Sequence, residues 1–205
     1  MEDAREVSES YSSEFDYDRT VALSDGVFAI ALTLLVLTIS FPDLRGGAHA
    51  RLGDELADRL SQLFSYALSF AVLSLLWLRH HAFFRGLARI DGRIAVLNLL
   101  YLALVAFLPY PTRLVGEYGD QAVAVTTYAA TITAVVLVAN VVRLHASRAG
   151  LVRSPSPDTR KPQLVVPAVF LISIPLALLV SPSAAKWCWA VLLLIGPSRH
   201  LLRRP

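Results

Sequence analysis

Charge is scarce in this chain. Only 17% of its 205 residues are Asp, Glu, Lys or Arg, against about a quarter in a soluble globular domain. With 55% hydrophobic residues and a mean hydropathy of +0.55, a water-soluble fold of this length is excluded. Cysteine occurs once, as Cys188, so no intramolecular disulfide can form; lying in an apolar block, it is expected to be a small buried hydrophobe. A basic N-terminal region followed by a short apolar core is missing, so no cleavable signal peptide is expected. There is no nucleotide-binding loop, no G-x-S-x-G, no H-E-x-x-H and no cysteine cluster, so nothing supports an enzyme or a resident cofactor.

What is present is a series of six apolar blocks, near 20–41, 57–78, 93–112, 121–143, 163–181 and 184–202. Each approaches the roughly 20 residues that cross about 30 Å of hydrocarbon as a helix. The expected fold is therefore all-α: a polytopic membrane protein with six transmembrane helices. Ser181-Pro182-Ser183 joins the last two blocks as a tight hairpin. Pro167 and Pro175 are candidate kinks in the fifth block, and Trp187 and Trp189 suit an interfacial position in the sixth. Ahead of the first block, residues 1–18 carry seven acidic residues against Arg5 alone and are expected to form a mobile, solvated tail; residues 19–205 form the membrane domain.

The net charge of +3 is a matter of topology and does not point to nucleic acid. Fourteen of the nineteen Lys and Arg residues fall in the N-terminal tail, in loops 79–93 and 143–162, or at the C-terminus. The opposite side holds Arg45, Arg51, Arg113 and Lys186. This bias predicts both termini in the cytoplasm. Arg79, Arg85, Arg89 and Arg93 lie in a polar stretch and are read as cytoplasmic anchors, since gating charges recur every third residue inside an apolar span.

The first block, RTVALSDGVFAIALTLLVLTISF from Arg19 to Phe41, holds a carboxylate where one is costly: about 2.5–3.5 kcal/mol at a helix centre, less near the edge. At about 100° per residue, Leu23, Leu34 and Leu37 lie within about 40° of Ile30, and Thr33 flanks them at about 60°. Asp25 lies about 140° away and Ser24 about 120° on the other flank. A helix presenting the Ile30 face to an axis therefore turns Asp25 toward its neighbours. Two roles compete for Asp25: a proton or ion site, or the acceptor in a buried polar network; the geometry favours the network. Donors at the same depth are His80, His81, Asn98, Arg19 and Arg79. His80 and His81 point about 100° apart on a helix and make a poor chelating pair, so no metal site is expected. Pro109 and Pro111 are read as ending the third helix at the outer surface, with Arg113 snorkelling there.

Arg19-x-x-x-Leu23-Ser24-Asp25-Gly26, continuing through Ile30, Thr33, Leu34 and Leu37, resembles the first-helix signature of the transmembrane protein 175 family, the endolysosomal potassium channels and their prokaryotic homologues. The family pattern has Phe where this chain has Leu23. Trp77, His80 or His81, and Asn98 also look like family features. One six-helix unit is similar to the prokaryotic form, which implies the cell membrane of a prokaryote. The resemblance implies a homotetramer whose first helices line a central pore, conducting K⁺ without a TVGYG carbonyl filter, a motif this sequence lacks. It implies a hydrophobic constriction at Ile30, Leu34 and Leu37, a selectivity-associated Thr33, and an inter-helix network of Arg19, Ser24 and Asp25 with the Trp77, His80/His81 and Asn98 region. The alternative is a proton- or ion-coupled secondary transporter using Asp25; a membrane scaffold without transport is a further rival.

Overall fold

The computed structural model describes residues 2–40, 59–153, 165–186 and 188–189, with only the backbone path described for residues 2–16 and 165. The chain is all-α among these residues. Its helices are α1 (Glu2–Leu34, ending in a 3₁₀ turn, Leu35–Thr38), α2 (Leu60–Arg85), α3 (Gly92–Phe107), α4 (Pro109–Tyr118), α5 (Ala122–Arg148) and α6 (Val165–Leu179). Four stretches are long and apolar enough to cross a membrane: Tyr17–Thr38, Leu60–Arg85, Gly92–Tyr118 and Ala122–Arg148. A shorter apolar helix, Val166–Leu179, follows. Most of the expected sixth block lies outside the described residues, as does Trp187.

The acidic stretch expected as a mobile tail is helical and continuous with the first span. No Gly or Pro interrupts residues 2–25, and the early acidic residues suit a helix N-terminus. Along the span, Ser24, Phe28, Ala31, Leu35 and Thr38 are buried, a three-and-four spacing that faces α2 and α3.

The prolines expected to end the third helix only interrupt it. Pro109 has no N–H for the carbonyl of Val105, and Leu108 N–H donates to that carbonyl instead, at 3.1 Å. Pro109 and Pro111 then sit in the first turn of α4, where a missing N–H costs nothing. Gly116 lets α4 approach α2: a Cβ there would lie 3.2 Å from Gln62 Cα. In α6, Pro167 likewise occupies the first turn, whereas Pro175 lies inside the helix. At the following hairpin, Ser181 Oγ accepts from Ser183 N–H at 3.2 Å, capping the short helical turn 182–186.

Leu73, Leu76, Tyr101, Val105, Tyr128, Ile132 and Phe170 form the main core. The α5–α6 pairing is the most extensive helix contact among the described residues. Trp189, expected at the interface, is wholly buried against Tyr128 and Phe170 at ring distances of 5.0 and 5.3 Å. Cys188, expected to be buried, is exposed because its neighbour Trp189 takes the inward position.

A second core, with Phe83, Phe84, Leu87, Ile94, Val142 and Ala146, closes the end where the arginines gather. Here α5 finishes at Gly150, whose φ of +67° permits the Leu151 N–H to reach back to the Ala146 carbonyl at 2.9 Å. The released strand pairs with the α2–α3 loop through Ala88 N–H to Leu151 O and Arg153 N–H to Gly86 O, both 2.8 Å. Asp91 ties α3 to α5, its Oδ1 accepting from Ile94 N–H at 2.8 Å and its Oδ2 lying 2.7 Å from His145 Nε2. Burial of this carboxyl raises its pKa. The His145 and Ile94 hydrogen bonds and the charges of His145 and Arg93 outweigh that and hold it below 3.8.

Candidate functional site

The site is built on α1, whose two faces differ in chemistry. On the inward face Ser24 Oγ donates to the Thr20 carbonyl at 2.8 Å and accepts from Asn98 Nδ2 at 3.0 Å. Asn98 Oδ1 lies 2.8 Å from His80 Nε2. With the Asn98 amide donating to Ser24, its oxygen is the acceptor, so the His80 proton sits on Nε2. The imidazole is held between Phe84 and Tyr101, with centroids 4.2 and 5.1 Å away, and against Phe28 at 5.6 Å.

One residue further along α1, Asp25 Oδ1 accepts from Trp77 Nε1 at 2.9 Å. His81 Nδ1 stands 4.0 Å from the same oxygen, and its ring stacks on Trp77 at 5.4 Å. The two adjacent histidines thus serve different partners, as their angular separation requires: His80 bonds to Asn98 and His81 lies beside Asp25. Three helices are joined in one polar band at a single depth. It collects Ser24, Asp25, Trp77, His80, His81 and Asn98 of the expected residues. Arg19 lies exposed on α1, ahead of this band.

The opposite face of α1 is aliphatic and uncovered by the other described residues. Ile30, Leu34 and Leu37 are 60%, 41% and 68% exposed, and Leu23 extends the same surface. Thr33 is exposed beside them, its hydroxyl donating to the Ile30 carbonyl at 2.8 Å. The expectation of an uninterrupted α-helix through Leu37 is corrected here, since the chain tightens into 3₁₀ geometry at Leu35–Thr38. Residues three apart eclipse in that geometry, so Leu37 stands directly over Leu34 and the stripe runs straighter than an α-helix would make it.

Two other groupings escaped the sequence reading. Arg143, assigned to a cytoplasmic loop, lies within α5 and is buried over the Phe83 ring, Cζ 5.5 Å from its centroid. Arg79 and His80 likewise lie inside α2, which runs to Arg85. Hydropathy ends a span at its first charges, but aromatic packing carries these helices past them. Near the other end Thr112 Oγ1 donates to Ser69 Oγ at 2.9 Å, and Ser69 Oγ to Tyr128 Oη at 3.1 Å, a buried hydroxyl chain joining α4, α2 and α5. Small hydroxyls inside apolar spans were the only signal for it.

The profile of the family described as endosomal/lysosomal potassium channel TMEM175 matches residues 19–109, a stretch that contains every residue of the polar band and the aliphatic stripe. A potassium channel of Streptomyces collinus is 38% identical over 146 residues, covering 68% of this chain and 69% of that one. A potassium channel of Chamaesiphon minutus is 33% identical over 168 residues, covering 78% and 83%. The crystal structure of a lysosomal potassium-selective channel TMEM175 homolog from Chamaesiphon minutus superposes with a TM-score of 0.78 at 31% identity, covering 90% of this chain and 97% of that one. This chain belongs to the TMEM175 family. The resemblance read from residues 19–37 is thereby borne out, and so is the all-α membrane fold. TMEM175 proteins are multi-pass membrane ion channels, not enzymes. Arg143 and Tyr128 fall beyond the matched stretch.

Proposed function

We propose that this protein is a potassium-selective cation channel of the cell membrane of a prokaryote, with both termini in the cytoplasm. It acts as a homotetramer in which four copies of α1 line the pore. The observation that carries this reading is the two-faced character of α1. Its polar face is bonded into the protein's own helices, while the Ile30, Leu34 and Leu37 stripe is left uncovered by the other described residues. Four such stripes around an axis form an apolar ring, which blocks ions by excluding water and conducts once slightly widened. Thr33 sits beside the ring with its proton given to the Ile30 carbonyl. Its oxygen lone pairs are left to face a partly dehydrated cation. The polar band around Asp25 sets the orientation of α1 and so the radius of the ring.

The rival is a proton- or ion-coupled transporter using Asp25. Asp25 is half-exposed, and the human relative, 34% identical over 111 residues, is named an endosomal/lysosomal proton channel; this chain spans only 22% of it. Purified protein in liposomes under a K⁺ gradient decides between the readings. A channel gives flux that is not saturable in the manner of a carrier, prefers K⁺ over Na⁺ and persists in Asp25→Asn. Flux that saturates and disappears in a folded Asp25→Asn protein establishes the transporter. No flux from well-folded protein overturns both.

A further inference from the structure

Between α2, α3 and α5, beside the polar band, lies a cavity of about 20 Å³, lined by Arg79, His80, Asn98, Tyr101 and Arg143 among apolar side chains, with no carboxylate among the described lining residues. That is space for one occupant of water size or slightly larger. Arg143 is only 8% exposed. Its Nη1 is buried with no hydrogen-bond partner among the described residues, and none of the described ion pairs includes it. The face of Phe83 balances part of the charge. A buried guanidinium nonetheless calls for a counter-charge and an acceptor, because removing it from water is otherwise unfavourable.

We propose that this cavity is a binding site for a single small anion of halide size, held by Arg143, with Arg79 and Tyr101 on the same wall. A water molecule supplies an acceptor but leaves the charge uncompensated. The volume suits a monatomic anion more closely than a tetrahedral oxyanion. Because His80 on the wall bonds to Asn98, and Asn98 to Ser24, an anion here braces the helices that orient α1.

The test uses the full-length purified protein in detergent, transferred from sodium gluconate to chloride or bromide at constant ionic strength. The thermal midpoint rises and saturates with halide concentration. In Arg143→Gln the halide dependence weakens at least tenfold, while Arg143→Lys keeps part of it. Should Arg143→Gln not fold, wild-type crystals soaked in bromide supply the second measurement, an anomalous peak beside Arg143. The proposal is overturned by a midpoint indifferent to halide, by an unchanged response in folded Arg143→Gln, or by a bromide map empty at the cavity. Stabilisation by phosphatidylglycerol vesicles but not by halide also overturns it and assigns the arginine to a lipid phosphate. None of these readouts depends on ion conduction.

Discussion

Trp77 Nε1 and Asp25 Oδ1 meet at 2.9 Å across the α1–α2 contact, on the side of α1 turned away from Ile30. The bond runs from an indole N–H to a carboxyl oxygen, and a side-chain hydrogen bond contributes about 0.5–1.5 kcal/mol net. Because the Asp25 side chain is 43% exposed, the lower end applies. Trp77→Phe is expected to cost about 0.5–1 kcal/mol and to lower the thermal midpoint and, with it, the fraction in the proposed tetramer. Asp25→Asn, which keeps an acceptor oxygen, should remain close to wild type. Size-exclusion chromatography with a melting curve checks both, and a Trp77→Phe protein as stable as wild type would remove the structural role given to this contact.

Substitutions on the other face behave differently. Ile30 and Leu37 lie on the exposed stripe, so Ile30→Ala and Leu37→Ala should change folding stability by no more than about 0.5 kcal/mol. Flux is where they should act: in the proposed pore, shorter side chains widen the ring and ease wetting, raising K⁺ flux and eroding preference over Na⁺. Leu37→Asn should produce the larger gain, because an amide hydrates the ring directly. Liposome assays of the two ions side by side measure this, and unchanged flux in all three variants would place the constriction elsewhere.

Asn98 is the least replaceable member of the polar band, since its amide bridges two helices at once. Asn98→Leu leaves the His80 ring N–H buried without its acceptor, at about 1–3 kcal/mol, while Ser24 Oγ keeps only its bond to the Thr20 carbonyl. The expected result is poor yield and loss of the proposed tetramer. Asn98→Asp keeps an acceptor for His80 but removes the donor to Ser24, so it should fall between the two. Equal midpoints for the Asn98→Leu and wild-type proteins would contradict the bridging role.

How much of this was legible beforehand follows from the range of each interaction. The alternation of faces on α1 is local, so the wheel already separated Asp25 from Ile30. The partners Trp77, His80, His81 and Asn98 were visible as polar groups at matching depth. Which histidine met which partner was not, because the answer depends on how α2 is rotated against α1 and α3. The 3₁₀ turn at Leu35–Thr38 has no Gly or Pro to announce it. Pro109 and Pro111 read as a stop, since sequence alone does not reveal that they fall in the first turn of a new helix. Arg143 looked like a loop residue because Phe83, the ring that buries it, comes from a distant part of the chain.

Asp91 makes a prediction in pH. Its pKa is held below the ordinary 3.8, with burial opposed by the stronger effect of the His145 and Ile94 hydrogen bonds and nearby positive charge. A depressed carboxyl pKa stabilises the fold above its unfolded value, and that contribution fades as pH falls through the lower folded value. The clasp between α3 and α5 should therefore be at full strength in Asp91 above about pH 4 and weaken progressively below it. Its side chain is 34% exposed, so solvent screening limits the effect to about 0.2–1 kcal/mol. Asp91→Asn should melt earlier at neutral pH and lose the part of the acid sensitivity that lies below pH 4. Melting curves recorded from neutral pH down to pH 3 for both proteins test this. Parallel curves across the whole range would show that Asp91 carries no linked proton, and a deficit that grows toward low pH would reverse the sign.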